Sequence, residues 1–131
     1  MKIILTNEES EKIFHNALCN GLPYIHGYGL TLEADKQDYK AASQKLKSEK
    51  PNELICYEDI LLKMLQMGYK LTLVDEEGDG AYTSEIGINE VHERVQLAPA
   101  RNLINTLDET DDAEDADIII QTVFFNEVIF G

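Results

Sequence analysis

The 131-residue sequence has few of the features that mark secreted or membrane-spanning proteins. It contains only two cysteines and no tryptophan, and no stretch reaches the ~20 apolar residues of a membrane span. The opening segment MKIIL is shorter than the apolar region of a secretory signal. Because nothing else indicates export, we expect a cytoplasmic protein in which Cys19 and Cys56 are buried, unpaired thiols.

Basic residues are also scarce, and they are unevenly distributed. The chain has 11 Lys and Arg against 25 Asp and Glu, which gives a formal net charge of −14. Residues 1–70 are near neutral, with a net charge of −1, whereas residues 71–131 carry −13 and only two cations, Arg94 and Arg101. Nucleic acids and anionic membranes bind cationic surfaces, so the composition disfavours direct binding to either. A basic protein partner would be attracted instead.

The apolar residues make up 44% of the chain, which is enough for a core, and their spacing predicts a single acidic α+β domain over residues 1–131. We expect a small mixed sheet of about four to five short strands, including a β-hairpin near residues 70–88, packed against several helices. The predicted strands are 2–5, 22–32, 70–76, 81–86 and 127–130. The predicted helices are 6–20, 35–48, 57–67, two short segments capped or opened by Asn89 and Pro99, and 113–125.

The segment from Ala113 to Phe125 is compatible with two structures. Its Ile, Val and Phe residues favour a strand. However, Asp111 and Asp112 suit the start of a helix, and Asn126 suits a left-handed residue at its end. We favour the helix and keep the strand as the alternative.

The densest charge is a run of seven acids within ten residues. Carboxylates at contact distance repel one another by about 1 kcal/mol per pair in water, so folding alone would not select so many. One interpretation is a solvated helix start that the helix dipole favours. The other is a docking surface for a basic partner, in which carboxylates replace the phosphates of a nucleic acid. The residues assigned to this surface are Asp108, Glu109, Asp111, Asp112, Glu114, Asp115 and Asp117.

Alternating aromatic residues suggest a second kind of site, for a small molecule or a nucleotide. Tyr24, His26 and Tyr28 would lie on one face of the predicted strand 22–32, where aromatic rings can stack on a base. The simpler interpretation is a sheet face that packs on a helix. The residues of this alternative site are Tyr24, His26, Tyr28, Tyr82, Arg94 and Arg101.

The segment 75–80 has part of the pattern of a calcium-binding loop. Asp75, Glu77 and Asp79 occupy the first, third and fifth positions of an EF-hand loop, but Ile86 stands at the twelfth, where the bidentate Glu is required. A solvated hairpin turn explains the same residues. These three acids remain an alternative divalent-cation site.

The sequence contains no evident nucleophile–base pair, phosphate-binding loop or cysteine–histidine metal motif, so we expect neither an enzyme nor a cofactor. The charge distribution predicts an interaction module that engages the basic, nucleic-acid-binding surface of another protein. Small phage or mobile-element inhibitors that mimic DNA, such as anti-restriction and anti-CRISPR proteins, act in this way, and the analogy rests on charge alone. A nucleotide or small-molecule sensor or sponge is the alternative, and a divalent-cation-binding module is the second. The apolar C-terminus is also compatible with a homodimer.

Overall fold

The computed structural model describes residues 3–131, in which six α-helices accompany a three-stranded sheet. The helices are α1 (Asn7–His26), α2 (Lys36–Glu49), α3 (Tyr57–Gln66), α4 (Ile88–Arg94), α5 (Ala100–Leu107) and α6 (Ala113–Phe125), and a 3-10 turn (Val95–Leu97) follows α4. The strands are β1 (Leu30–Glu33), β2 (Leu71–Asp75) and β3 (Ser84–Ile86). None of the helices in this part of the chain is long and apolar enough to cross a membrane.

The sheet has the order β1-β2-β3, and both pairings are antiparallel. Leu73 in the central strand lies opposite Leu32 on one side and Ser84 on the other. The α+β class and the hairpin near residues 70–88 are confirmed. The expected mixed sheet of four to five strands is wrong, because the described chain forms three strands that are all antiparallel.

The start of α1 follows the prediction, but its end does not. Thr6 and Glu9 form a capping box at its start, with N···O distances of 2.9 and 3.1 Å. The helix then continues through Gly21 and Pro23 to His26, so a strand over residues 22–32 is wrong except at its end. A proline inside a helix removes one hydrogen bond, and burial of the continued apolar stripe, which ends at Ile25, offsets that loss.

The tight packing of α1 on α6 explains why the helix continues through a glycine. A Cβ atom added at Gly21 would lie 2.7 Å from Ile120 Cδ1 and 3.0 Å from Ala116 Cβ. Phe14 and Phe124, from the same two helices, contact each other in the core with ring centroids 6.3 Å apart. Gly21 therefore marks a close approach of two helices and not a helix end.

The C-terminal segment lacks the predicted strand 127–130 because a side chain supplies its hydrogen bonds. Gln121 Oε1 accepts from the backbone N–H groups of Ile129 and Phe130, both at 2.8 Å. Gln121 Nε2 donates to the Phe130 carbonyl at 3.2 Å. The side-chain amide of Gln121 thus makes the hydrogen bonds that a neighbouring strand would otherwise make. The favoured helix over 113–125 is confirmed, including its left-handed end at Asn126.

Three smaller expectations also fail. The predicted strand 2–5 lies partly outside the described residues, and residues 3–5 are irregular, with Leu5 N donating to the Gln96 side chain.

Asn89, the predicted N-terminal cap, lies inside α4, which begins earlier because Glu90 accepts from the backbone N–H of Gly87. Cys19 and Cys56 are free, as expected, but exposed and not buried, since Cys19 lies on the exposed face of α1 and Cys56 immediately precedes α3.

Candidate functional site

The acidic run begins where α5 ends. The N–H of Glu109 donates to the Thr106 carbonyl at 3.1 Å, and the N–H of Thr110 donates to the Asn105 carbonyl at 2.9 Å. These two bonds form a Schellman motif, which places Glu109 in the left-handed region with φ of 58°. Glycine is the usual residue there, because a side chain in this conformation meets steric resistance. The turn leaves Asp108 and Glu109 exposed.

The start of α6 uses two acids of the run as caps. Asp112 Oδ1 accepts from the N–H of Asp115 at 2.9 Å, and Asp115 Oδ2 accepts from the N–H of Asp112 at 3.1 Å. This reciprocal pair satisfies free amides of the first turn. Capping of α6 is therefore a structural reason for the presence of Asp112 and Asp115 in the acidic run.

Asp115 has further partners inside the protein. The residue is 6% exposed, and its carboxylate accepts from Asn102 Nδ2 at 2.7 Å and from Asn105 Nδ2 at 3.2 and 3.3 Å. Burial raises the pKa of Asp115, but the hydrogen bonds from Asn102, the Asp112 amide and Asn105 outweigh it and lower the pKa below its usual value. Asp115 is a buried, ionised acid that joins α5 to α6.

Asp117 is also engaged internally. It is 4% exposed, and it accepts from the Tyr28 hydroxyl and from Gln121 Nε2, both at 2.8 Å. Burial and the bond to Asp117 raise the pKa of Tyr28 well above its usual value. Asp115 and Asp117 are therefore not available to a partner, which corrects their assignment to the docking surface.

The remaining five acids form what we call the acidic surface: Asp108, Glu109, Asp111, Asp112 and Glu114. Asp111 is half-buried and accepts from Asn20 Nδ2 at 2.7 Å, and the other four are exposed. Every salt bridge in the described chain uses an acid from residues 1–70. No cation of residues 3–131 therefore pairs with the acidic surface.

The residues of the alternative nucleotide site are only partly brought together. Tyr28 stacks on Phe130 with ring centroids 5.2 Å apart, and Tyr24 and Tyr82 meet this pair edge-on, at 5.8 Å from Tyr28 and 5.4 Å from Phe130, respectively. The three tyrosines form one partly exposed aromatic cluster around the C-terminal tail. Their grouping comes from tertiary packing and not from the alternation of a strand.

The other members of that site lie elsewhere. His26 lines a groove beside Cys19 and Tyr57. Arg94 donates to the carbonyl of Val123 at 2.9 Å, and Arg101 is exposed on α5. Within residues 3–131, neither arginine contacts the aromatic cluster, so neither supplies a counter-charge there.

The calcium-like acids serve the hairpin turn. Asp75 is 5% exposed, and its two oxygens accept from the backbone N–H groups of Gly78 at 2.8 Å and Tyr82 at 3.1 Å. Glu77 and Asp79 are exposed. Within residues 3–131, no three His, Cys, Asp or Glu side chains are grouped as metal ligands. The carboxylate of Asp75 thus holds the turn between β2 and β3.

Sequence reasoning missed the residues that fix the acidic run in place. Asn102 is 3% exposed on α5, and Gln121 is fully buried on α6. The one signal that could have indicated Gln121 is its position within an apolar run, because a buried amide requires hydrogen-bond partners. Those partners, Asp115 and Asp117, are acids that the sequence alone assigned to the surface.

No protein-family model matches the chain, and comparison with curated proteins and with solved structures gave no match.

Proposed function

We propose that the protein binds a basic partner protein through the acidic surface. The observation that carries this proposal is the group of four exposed carboxylates, on Asp108, Glu109, Asp112 and Glu114, with no cation of the described chain within salt-bridge distance. An unneutralised group of like charges attracts cations and steers a basic protein toward it.

Folding accounts for some of these acids but not for all. Asp112 caps α6, whereas the side chains of Asp108, Glu109 and Glu114 accept no hydrogen bond from the described residues. Glu109 also occupies a left-handed position at which glycine or asparagine would be more stable. A Glu at this position adds both strain and repulsion, and contact with a basic partner would explain its presence.

The proposed contact on the partner is a surface that normally binds nucleic acid. Such surfaces present Lys and Arg to phosphates, and carboxylates carried by the backbone of two adjoining helix ends offer anionic groups in their place. The Schellman motif at the end of α5 and the capping box at the start of α6 hold the acidic surface on both sides. The proposed activity is therefore inhibition of a nucleic-acid-binding protein by competition for its basic groove.

A pull-down tests this proposal. The tagged protein is incubated with a bacterial lysate and washed at low salt, and the bound proteins are identified by mass spectrometry. We expect basic, nucleic-acid-binding proteins that are released at about 0.5 M salt, where the screening length falls to a few ångströms. Short duplex DNA should displace the same proteins at low salt. Captured proteins that resist both salt and DNA would contradict the proposal.

A further inference from the structure

A cavity of about 430 Å³ lies between α1, α3 and the segment that joins α2 to α3. This volume falls within the range of small-molecule sites, which is about 300–1,000 Å³. All its lining residues belong to the near-neutral part of the chain, from Lys12 to Gln66. The cavity is therefore distinct from the acidic surface in both position and charge.

Three lysines line this cavity, in a chain that has 11 Lys and Arg in total. Lys63 Nζ pairs with Glu49 at 2.7 Å, and Lys50 Nζ pairs with Glu53 at 3.8 Å. Lys12 has no acid within 4.0 Å among residues 3–131. One cation of the cavity wall is thus not neutralised by the protein itself.

Two acids line the cavity: Glu53 pairs with Lys50, and Asp59 is engaged by other partners. Asp59 Oδ1 lies 2.7 Å from His15 Nε2, and Asp59 Oδ2 accepts from the N–H of Cys56 at 2.9 Å. Partial burial raises the pKa of Asp59, but the bonds from Cys56 and His15 outweigh it and lower the pKa below its usual value. With both oxygens engaged, Asp59 leaves the charge of Lys12 available to a ligand.

The cavity wall also contains four apolar residues. These residues are Leu46, Leu54, Ile55 and Leu62. Leu54 is 91% exposed to water. An exposed leucine beside an apolar wall is stabilised when an apolar group covers it. The cavity therefore combines a free cation with a surface that favours a hydrocarbon group.

The geometry points to a binding site for a small amphipathic anion, in which Lys12 contacts a carboxylate or phosphate group and Leu54 and Leu62 contact an alkyl body. Lys12 would bind a carboxylate and a phosphate in the same way, since both groups accept hydrogen bonds from an ammonium group. The site is independent of the proposed partner binding, because it shares no residue with the acidic surface.

Four probes test this site by the amide shifts that they cause in the ¹⁵N-labelled protein: octanoate, octyl phosphate, inorganic phosphate and 1-octanol. We expect octanoate, octyl phosphate or both to give saturable shifts at Lys12, Leu54 and Lys63, and the stronger of the two identifies the preferred anionic group. Inorganic phosphate and octanol should bind at least about tenfold more weakly, because each offers only half of the interaction.

Two variants complete the test. Lys12→Gln should weaken binding of the preferred probe about fivefold to tenfold, since it removes the unpaired charge. Lys47→Gln, an exposed lysine of α2 outside the cavity, is the matched control and should bind like the wild type. The inference is overturned if neither amphipathic probe gives saturable shifts at these amides by about 5 mM, or if Lys12→Gln binds as tightly as the control.

Discussion

The hydroxyl of Tyr28 donates a hydrogen bond of 2.8 Å to Asp117, a residue 89 positions away in the sequence. The same carboxylate accepts from Gln121, whose amide holds the C-terminal segment. This contact divides the acidic run into two parts with different roles. Asp115 and Asp117 stabilise the fold from inside, whereas four acids of the acidic surface are exposed to solvent.

Removal of the Tyr28 hydroxyl should destabilise the protein. Tyr28→Phe keeps the stacking on Phe130 but leaves the buried carboxylate of Asp117 with one donor fewer. We expect the free energy of unfolding to fall by about 1–3 kcal/mol. Urea unfolding followed by circular dichroism measures this change, and Tyr82→Phe, which alters an exposed tyrosine of the same aromatic cluster, is the control. An unchanged unfolding midpoint for Tyr28→Phe would show that the contact contributes nothing.

Asp115 should make stability depend on pH. Its folded pKa lies below the ordinary value of 3.8, so its contribution is complete above that value and is lost as the pH falls through the folded pKa. Asp115→Asn should cost about 2 kcal/mol at pH 7, because the buried amide of Asn102 loses its anionic acceptor. The difference between wild type and variant should shrink in acid. Unfolding free energies at neutral pH and below pH 3.8 measure it, and a constant difference would refute the role of Asp115.

Gly21→Ala should destabilise the protein, although alanine is the better helix former. In an exposed helix the change would stabilise by about 1 kcal/mol. Here the added Cβ would lie 3.2 Å from the backbone carbon of Ala116, which cannot move without shifting α6. We expect a net loss of about 1–2 kcal/mol. A thermal melting temperature equal to or above that of the wild type would show that α1 and α6 have room between them.

Glu109→Gly should separate folding from binding. Glycine relieves the left-handed strain at this position, so we expect the free energy of unfolding to rise by about 1 kcal/mol. The same change removes a charge of the acidic surface, so partner binding should weaken. Chemical unfolding and a binding titration on the same variant measure both effects. A more stable variant that binds as well as the wild type would show that Glu109 has no part in the interface.

The sequence predicts those elements whose signals are local. Thr6 and Glu9 cap α1, Asp112 caps α6, and the turn residues after Asp75 close the hairpin, all within a few positions of one another. Short-range hydrogen bonds and turn geometry determine these features, so neighbouring residues are sufficient to find them.

Features that depend on distant residues could not be predicted in this way. The strand expected at 22–32 fails because α6 packs on Gly21, and nothing near that glycine indicates a partner more than 90 residues away. The burial of Asp117 likewise requires Tyr28, from the other end of the chain. Local propensity is overridden wherever tertiary contacts of this kind form.

The most direct test of the central claim compares two triple variants in one quantitative pull-down. Asp108→Asn, Glu109→Asn and Glu114→Gln together remove three charges from the acidic surface. Glu76→Gln, Glu93→Gln and Glu127→Gln together remove three exposed charges elsewhere in residues 71–131. Both proteins have the same net charge, so a difference between them reports position and not total charge. We expect the first to lose the captured partner and the second to retain it. Equal capture by the two variants would contradict the proposed role of the acidic surface.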